Sequence, residues 1–302
     1  MNTADASWAA VDWGTSNLRA WVIGTDGATI ATLLSDKGMG ALTREEFEPE
    51  LLALLGPYLK ESDRLIVIAC GMVGARQGWV EAPYLAAPCR PPGIHEAVRA
   101  SVGDPRIDIR ILPGVGQANP PDVMRGEETQ IAGYLCENPD FEGVLCLPGT
   151  HTKWVTIRSG EIVGFRTFMT GELFALLSKQ SVLRHSITDS GWNDAAFAEA
   201  VDDAMIAPQS LAAQLFSLRA GSLLNGADKA TCRARLSGLL LGLEIRGARD
   251  QWLERDIVLV GAPSLTALYR DALAAKGVRT RECDGDAMAL AGLKAAYEEM
   301  RT

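Results

Sequence analysis

The sequence predicts an α/β protein built as two similar halves, and three observations carry that prediction. Apolar runs of strand length end in glycine-containing loops four times. Residues 65–70 run into Gly71-Met72-Val73-Gly74, and 107–112 into Pro113-Gly114-Val115-Gly116. Residues 144–147 run into Pro148-Gly149-Thr150-His151-Thr152-Lys153, and 257–260 into Gly261-Ala262-Pro263-Ser264. Long Leu- and Ala-rich stretches of helical length accompany them. A hairpin pattern with a glycine–threonine tip occurs twice, once near the start of each half. Strands apolar throughout read as a sheet covered on both faces. Ligands of such sheets bind beyond the carboxyl ends of the strands. The loops, rather than the helices, are therefore where chemistry is expected.

The first hairpin joins the apolar runs 8–11 and 18–23 through Asp12-Trp13-Gly14-Thr15-Ser16-Asn17. Gly14 lets backbone amides approach a ligand closely. Thr15 and Ser16 add hydroxyls, Arg19 adds a cation, and Asp12 suits Mg²⁺ held through its water shell. These groups fit a nucleotide phosphate, although an ordinary surface hairpin with a polar tip has the same pattern. Helical spacing follows over 45–59. The second hairpin joins 144–147 to 154–157 and repeats the chemistry: Gly149, then Thr150 and Thr152, then the cation Lys153. A strand is expected over 162–168 and a helix over 171–185. Residues 210–252 read as two helices broken near 221–228, and 286–300 as a last amphipathic helix. The segments 86–93 and 119–121 are proline-bearing rigid loops. Met72, Met124 and Met169 are expected to serve packing. His95 and His185 read as structural, and His151 lies within the second tip.

Composition limits the class. The chain has 302 residues, long enough for two domains, with 47% hydrophobic and 22% charged residues, as in a globular protein. A net charge of −9 favours neither nucleic acid nor an anionic membrane surface. No apolar run is long enough to span a bilayer, and the N-terminus shows no basic region followed by an apolar one. The six cysteines are scattered without a Cys-x-x-Cys pair, which reads as reduced thiols in the cytoplasm. No His/Cys cluster has zinc spacing.

The two glycine–threonine hairpins and the loop at Gly261 together resemble the actin, Hsp70 and sugar-kinase superfamily. Over nearly its whole length the chain is similar to the 2-dehydro-3-deoxygalactonokinase family. The stretches that carry this are 12–19, 71–85, 124–130 (Met-Arg-Gly-Glu-Glu-Thr-Gln) and 148–154 (Pro-Gly-Thr-His-Thr-Lys-Trp). The resemblance implies two ribonuclease-H-like domains with an ATP cleft between them. The corresponding division is 1–137 and 138–302, with the last helix at the interdomain hinge. It also implies ATP- and Mg²⁺-dependent phosphorylation of the 6-hydroxyl of 2-dehydro-3-deoxy-D-galactonate, in galactonate catabolism.

That resemblance sets the expected site. Asp12, Gly14, Thr15, Ser16 and Arg19 would form the first phosphate motif, with Asp12 also serving the metal. Gly149, Thr150, Thr152 and Lys153 would form the second, and Gly261, Ala262 and Ser264 the adenosine motif. Glu127 or Glu128 would be the general base; related kinases use Asp after Gly here, and the alternative is a pair of first-turn carboxylates favoured by the helix dipole. Arg76, Trp79, Glu81, Tyr84, Arg125 and Glu172 are the expected acceptor-sugar contacts. Arginine suits a carboxylate, and aromatic faces suit sugar C–H surfaces. The second tip lacks the acidic residue common before Gly-Thr, and Gly261-Ala262 replaces a common Gly-Gly. The expected partners are a small-molecule sugar acid and ATP, with a homodimer admitted and neither nucleic acid nor membrane expected.

Competing readings explain less. A ribokinase-type enzyme would account for 284–292 but leave both hairpins unused. A non-catalytic ATP-driven switch would want a DNA- or peptide-binding segment, and a phosphohydrolase a more basic lining. Neither Gly-x-Gly-x-x-Gly nor a Gly-Lys dipeptide occurs. A kinase acting on the gluco epimer or another sugar acid is the nearest alternative.

Overall fold

The computed structural model describes residues 6–301, and its contacts separate into two units. The first comprises the chain up to 142, residues 157–164 and the chain from 285 onward; the second comprises 143–156 and 165–284. In chain order the first unit begins β1 (Ala6–Trp13), β2 (Leu18–Gly24), β3 (Thr29–Ser35), α1 (Phe47–Leu55) and β4 (Leu65–Gly71). It continues with β5 (Tyr84–Ala86), β6 (Val98–Arg99), β7 (Ile107–Ile111), β8 (Gly114–Ala118), β9 (Pro121–Met124) and α2 (Glu127–Glu137). Its main sheet has the order β3-β2-β1-β4-β7-β6. β1 pairs antiparallel with β2 and parallel with β4, and β4 pairs parallel with β7. A small second sheet, β5-β8-β9, runs directly into α2.

Strands β1, β2 and β4 are almost wholly apolar because both faces of the sheet are covered there. Ala9, Val11 and Trp13 of β1 pack with Phe47, Leu51 and Leu55 of α1. The alternate residues Trp8 and Ala10 join a second cluster with Leu293 and Ala296 near the C-terminus. That is the period-2 alternation of a strand read against two apolar layers.

The later elements are β10 (Gly143–Leu147), β11 (Thr152–Arg158), β12 (Glu161–Phe168), α3 (Thr170–Lys179), α4 (Asp194–Ile206), α5 (Leu211–Leu224) and α6 (Lys229–Gly247). Then come α7 (Arg249–Trp252), β13 (Ile257–Gly261), α8 (Pro263–Ala274), β14 (Thr280–Asp284) and α9 (Gly285–Glu299). The second sheet has the order β12-β11-β10-β13-β14, with β10, β13 and β14 parallel. It repeats the β3-β2-β1-β4-β7 pattern of the first.

Helix α9 belongs to the first unit and packs on β1, β4 and α2. The crossing with α2 is close: a Cβ at Gly133 would lie 2.0 Å from the Met288 carbonyl, and one at Gly292 2.0 Å from the Thr129 carbonyl.

Several elements differ from the sequence reading. The helix expected over 45–59 is α1 alone, flanked by 3-10 turns at Arg44–Glu46 and Gly56–Tyr58. Gly56 and Pro57 follow Leu55, and Pro57 has no N–H to continue the α ladder. The helix expected over 171–185 stops at Lys179. Ser181 then starts a 3-10 turn, Val182–His185, with its hydroxyl accepting from the Leu183 amide. The break in 210–252 falls between Leu224 and Lys229, where the Asp228 side chain caps α6. Met169 is half exposed rather than packed, while Met124 is buried.

Candidate active site

In the first unit, the turn between β1 and β2 closes through the Gly14 amide donating to the Asn17 carbonyl at 2.9 Å. The segment 38–40 lies directly behind it. Gly38, Met39 and Gly40 amides donate to the carbonyls of Ser16, Gly14 and Thr15 at 3.2, 3.0 and 2.9 Å. A Cβ at Gly38 would stand 2.4 Å from Ser16 backbone, so only glycine allows this backing. With three turn carbonyls engaged, the turn is left with amides and the exposed hydroxyls of Thr15 and Ser16 to offer a ligand. That is an anion-accepting surface.

Asp12 stands at the carboxyl end of β1, opposite Arg19 on β2 and Cys70 on β4. Burial pushes its carboxyl up to about 6, opposed by Arg19 and reinforced by the charges of Asp286 and Glu127. Arg19 is ion-paired to Asp286 at the start of α9. Asp286, in the first turn of α9, is thus part of this charged cluster. Among the described residues no group of three His, Cys, Asp or Glu side chains is placed to cage a metal ion. Mg²⁺ bound to substrate phosphates needs only one or two carboxylates. Asp12, a part-buried acid at a strand end, fits that need.

The small sheet aims the next residues. β9 delivers Arg125, Gly126 and Glu127 to the start of α2. The Glu127 carboxylate, half buried, accepts from the Arg125 amide at 3.0 Å. Glu128 is fully buried, and both its oxygens accept from the Gly126 amide at 2.8 Å. Burial and the neighbouring Glu127 charge raise Glu128 to about 8, so it is largely protonated at neutral pH.

The guanidinium of Arg125 lies 4.3 Å from the Tyr84 ring centroid and donates to the Ala82 carbonyl at 2.8 Å. Its Nε and Nη1 are buried without an acceptor. The expected sugar contacts therefore divide. Arg125 and Tyr84 come together beside Glu127. Arg76 and Glu81 are exposed on the preceding loop. Trp79 is only 8% exposed and packs against Trp13 and Phe47, so it is a core residue.

The second unit repeats the backed turn. Gly171 sits where a Cβ would lie 2.3 Å from the Gly149 carbonyl, and the Glu172 amide donates to the Thr150 carbonyl at 2.9 Å. Gly149 and Thr150 stay accessible. Lys153 is buried and its ammonium donates to the His151 carbonyl at 3.1 Å, so it braces the turn from behind. Thr152 is sealed inside, its hydroxyl 2.8 Å from that of Tyr269. Glu172 is paired with His151 at 2.6 Å.

The buried carboxylate of Glu244, which the sequence reading missed, ties these parts together. It accepts from Trp154 Nε1 at 2.8 Å, from the Tyr269 hydroxyl at 3.0 Å and from the Thr170 hydroxyl. Burial raises it to about 7 against those hydrogen bonds. Above this network opens a cavity of about 470 Å³, whose lining includes Gly149, Gly171, Trp192, Arg233 and Ser264. Gly261 is buried at the end of β13, while Ala262 and Ser264 are exposed at the start of α8. The guanidinium of Arg233 lies 5.7 Å from the Trp192 ring centroid.

Comparisons with known proteins agree with this geometry. The chain is 43% identical to the probable 2-dehydro-3-deoxygalactonokinase of Rhizobium meliloti (strain 1021), covering 98% of each chain. It is 35% identical to the 2-dehydro-3-deoxygalactonokinase of Escherichia coli (strain K12), over 96% of this chain and 97% of that one. The crystal structure of a candidate 2-dehydro-3-deoxygalactonokinase from Sinorhizobium meliloti superposes with a TM-score of 0.89 at 42% identity. That match covers 97% of this chain and 99% of the other. The fold is shared with component A of the (R)-2-hydroxyglutaryl-CoA dehydratase of Acidaminococcus fermentans, at a TM-score of 0.55 and 14% identity, covering 98% of this chain and 99% of that one. The profile of the 2-keto-3-deoxy-galactonokinase family matches residues 12–296, and the chain belongs to that family of phosphotransferases.

Proposed function

We propose that this sugar-acid kinase transfers the γ-phosphoryl group of ATP to the 6-hydroxyl of 2-dehydro-3-deoxy-D-galactonate, a step of galactonate breakdown. One observation carries the reading: the β9–α2 junction puts a half-buried carboxylate, Glu127, into the same charged cluster as Asp12 at the end of β1, next to a turn stripped of free carbonyls. Proton acceptor, metal-side carboxylate and phosphate-accepting amides are the parts phosphoryl transfer needs, because it runs on positioning and charge stabilisation.

The first unit supplies the chemistry in this reading. Glu127 accepts the proton of the acceptor hydroxyl as the O–P bond forms. The amides and hydroxyls of Thr15 and Ser16, opening at Gly14, hold phosphate oxygens, and Arg19 adds positive charge while Asp286 fixes its direction. Mg²⁺ near Asp12 would neutralise phosphate charge. Arg125 recognises the sugar-acid carboxylate, because two of its guanidinium donors, Nε and Nη1, lack an acceptor and unmatched donors are costly. Tyr84 packs on the same ligand.

The second unit supplies nucleotide binding. Gly149 and Thr150 of the backed turn are its phosphate contacts, with Lys153 and Thr152 holding the turn in shape. Gly261, Ala262 and Ser264 border the adenosine side, next to the 470 Å³ cavity. Glu172 orients His151 rather than contacting sugar.

The test is ADP release from Mg²⁺-ATP, run in parallel on 2-dehydro-3-deoxy-D-galactonate, its gluco epimer and glucose. Turnover of the galacto acid, with the product phosphate located on O6 by ³¹P–¹H NMR, is expected. Hydrolysis indifferent to every sugar would overturn the kinase reading. Preference for the gluco epimer would move the substrate while keeping the chemistry.

A further inference from the structure

Helix α5 carries a face that the fold leaves uncovered. Leu218 is its one fully buried side chain, and Leu211 and Leu215 are partly buried against the same cluster. The opposite face carries Ala212, Ala213, Phe216, Ser217, Ala220, Leu223 and Leu224 within about 140° of arc at 100° per residue. It holds no charge. Arg219, the one charged residue of α5, stands at the edge of this arc, and its guanidinium is tied to the Ser186 hydroxyl, to which it donates at 3.2 Å. Phe216 and Leu223 are 64% exposed and Leu224 82%. A helix apolar all round is normally buried on every side.

The exposed area is large for a free surface. At roughly 150–250 Å² of surface for a large side chain, these three uncover on the order of 400 Å². The stretches beside α5 carry more: Val182, on the 3-10 turn after α3 that touches α5, and Ile206, just before the 3-10 turn that leads into α5, are both exposed. The total, on the order of 600 Å², stands at the top of the about 300–600 Å² of the largest patch on a typical monomer. It approaches the about 800 Å² that each partner gives to a standard interface.

We propose that this face is a homodimer interface, covered by α5 of a second copy of the chain across a two-fold axis. Two features select a second copy. A patch that meets itself must be self-complementary. On a chain of net charge −9, a strip with no charge is the surface that meets its own copy without like-charge repulsion. The small residues Ala212, Ala213 and Ala220 lie among Phe216, Leu223 and Leu224, so the large side chains of one helix have hollows to enter on the other. The proposal does not depend on the substrate or the chemistry.

Sedimentation velocity over a concentration series tests it, on the full chain, with Phe216→Glu, Leu224→Glu and the milder Phe216→Ser. The wild type is expected to sediment with the mass of two chains at micromolar concentration. Each glutamate variant is expected to sediment as one chain with an unchanged far-ultraviolet circular dichroism spectrum, and Phe216→Ser to dissociate at least tenfold more readily. A monomeric wild type would overturn the proposal. So would folded variants that dimerise as tightly as the wild type, which would place any interface elsewhere.

Discussion

Glu127 and Glu128 are neighbours in the chain with opposite surroundings. Glu127 is half buried with its charge felt at Asp12, whereas Glu128 is sealed, held by the Gly126 amide and protonated near neutral pH. A base must be ionised and reachable by the acceptor hydroxyl. Glu127→Gln is therefore expected to lower kcat by on the order of 10²–10⁴-fold with little change in KM for ATP. Glu128→Gln should keep most of kcat. The ADP-release assay decides, and the reverse pattern would give the proton transfer to Glu128. The sequence shows the pair, because Gly-Glu-Glu stands before a helical stretch. It does not separate the two, because the burial that does so comes from the packing of α2 on β4 and α9. Asp286 and Glu244 escaped for the same reason. Each looks like an ordinary helix acid until its partner is placed, and the partner of Asp286 lies 267 residues away. Trp79 misled in the other direction: an aromatic in a loop reads as a ligand surface, yet its ring closes the cluster around Trp13 and Phe47.

At the scale of elements, helix interiors depend on glycines that local propensity disfavours. Gly133 of α2 and Gly292 of α9 let each helix lay backbone against the other's carbonyl, with no room for a methyl group. Exchange of a helical glycine for alanine ordinarily stabilises by about 1 kcal/mol. Here the sign reverses, because the contact is to backbone, and Gly133→Ala or Gly292→Ala should cost roughly 1–3 kcal/mol as overpacking. Gly221 on α5 is the control: its Cβ would meet nothing nearer than Ala227 at 4.0 Å, so Gly221→Ala should be neutral or stabilising. Urea midpoints of the three variants check this, and a stabilised Gly133→Ala would contradict the described crossing. Strands β4, β10 and β13 were legible because double-sided burial writes an unbroken apolar run. The small sheet β5-β8-β9 was not, because its strands are short and partly exposed. Helix ends were blurred where Gly56-Pro57 and Ser181 replace α geometry with 3-10 turns.

Across the whole molecule, the two halves were legible from the repeated glycine–threonine hairpin, and the sheets repeat the same strand order. The membership of each unit is not continuous in sequence, since 157–164 and α9 belong with the N-terminal part. Hydrophobic pattern along the chain has no means of recording that. One consequence of the two units is measurable through pH, because burial raises Asp12 from 3.8 to about 6 and raises one carboxyl in each unit further still. Glu128 in the first is raised from 4.5 to about 8, and Glu244 in the second from 4.5 to about 7. An acid whose folded value is raised binds its proton more tightly folded than unfolded. Its contribution to stability is full below pH 4.5 and is lost as pH rises, through about 7 for Glu244 and about 8 for Glu128. The urea midpoint is therefore expected to fall between pH 5 and pH 9, each carboxyl costing on the order of a few kcal/mol over its window. Glu128→Gln and Glu244→Gln keep the neutral shape of the protonated acids and should flatten the decline. Glu244→Ala should instead destabilise at every pH, because the donors of Trp154, Tyr269 and Thr170 lose their acceptor. If the units unfold in separate transitions, Glu128→Gln should flatten one and Glu244→Gln the other. A wild-type midpoint that rises steadily from pH 5 to pH 9 would show that both carboxyls are ionised in the folded protein. Glu128, carrying charge, would then compete with Glu127 for the proton of the acceptor hydroxyl.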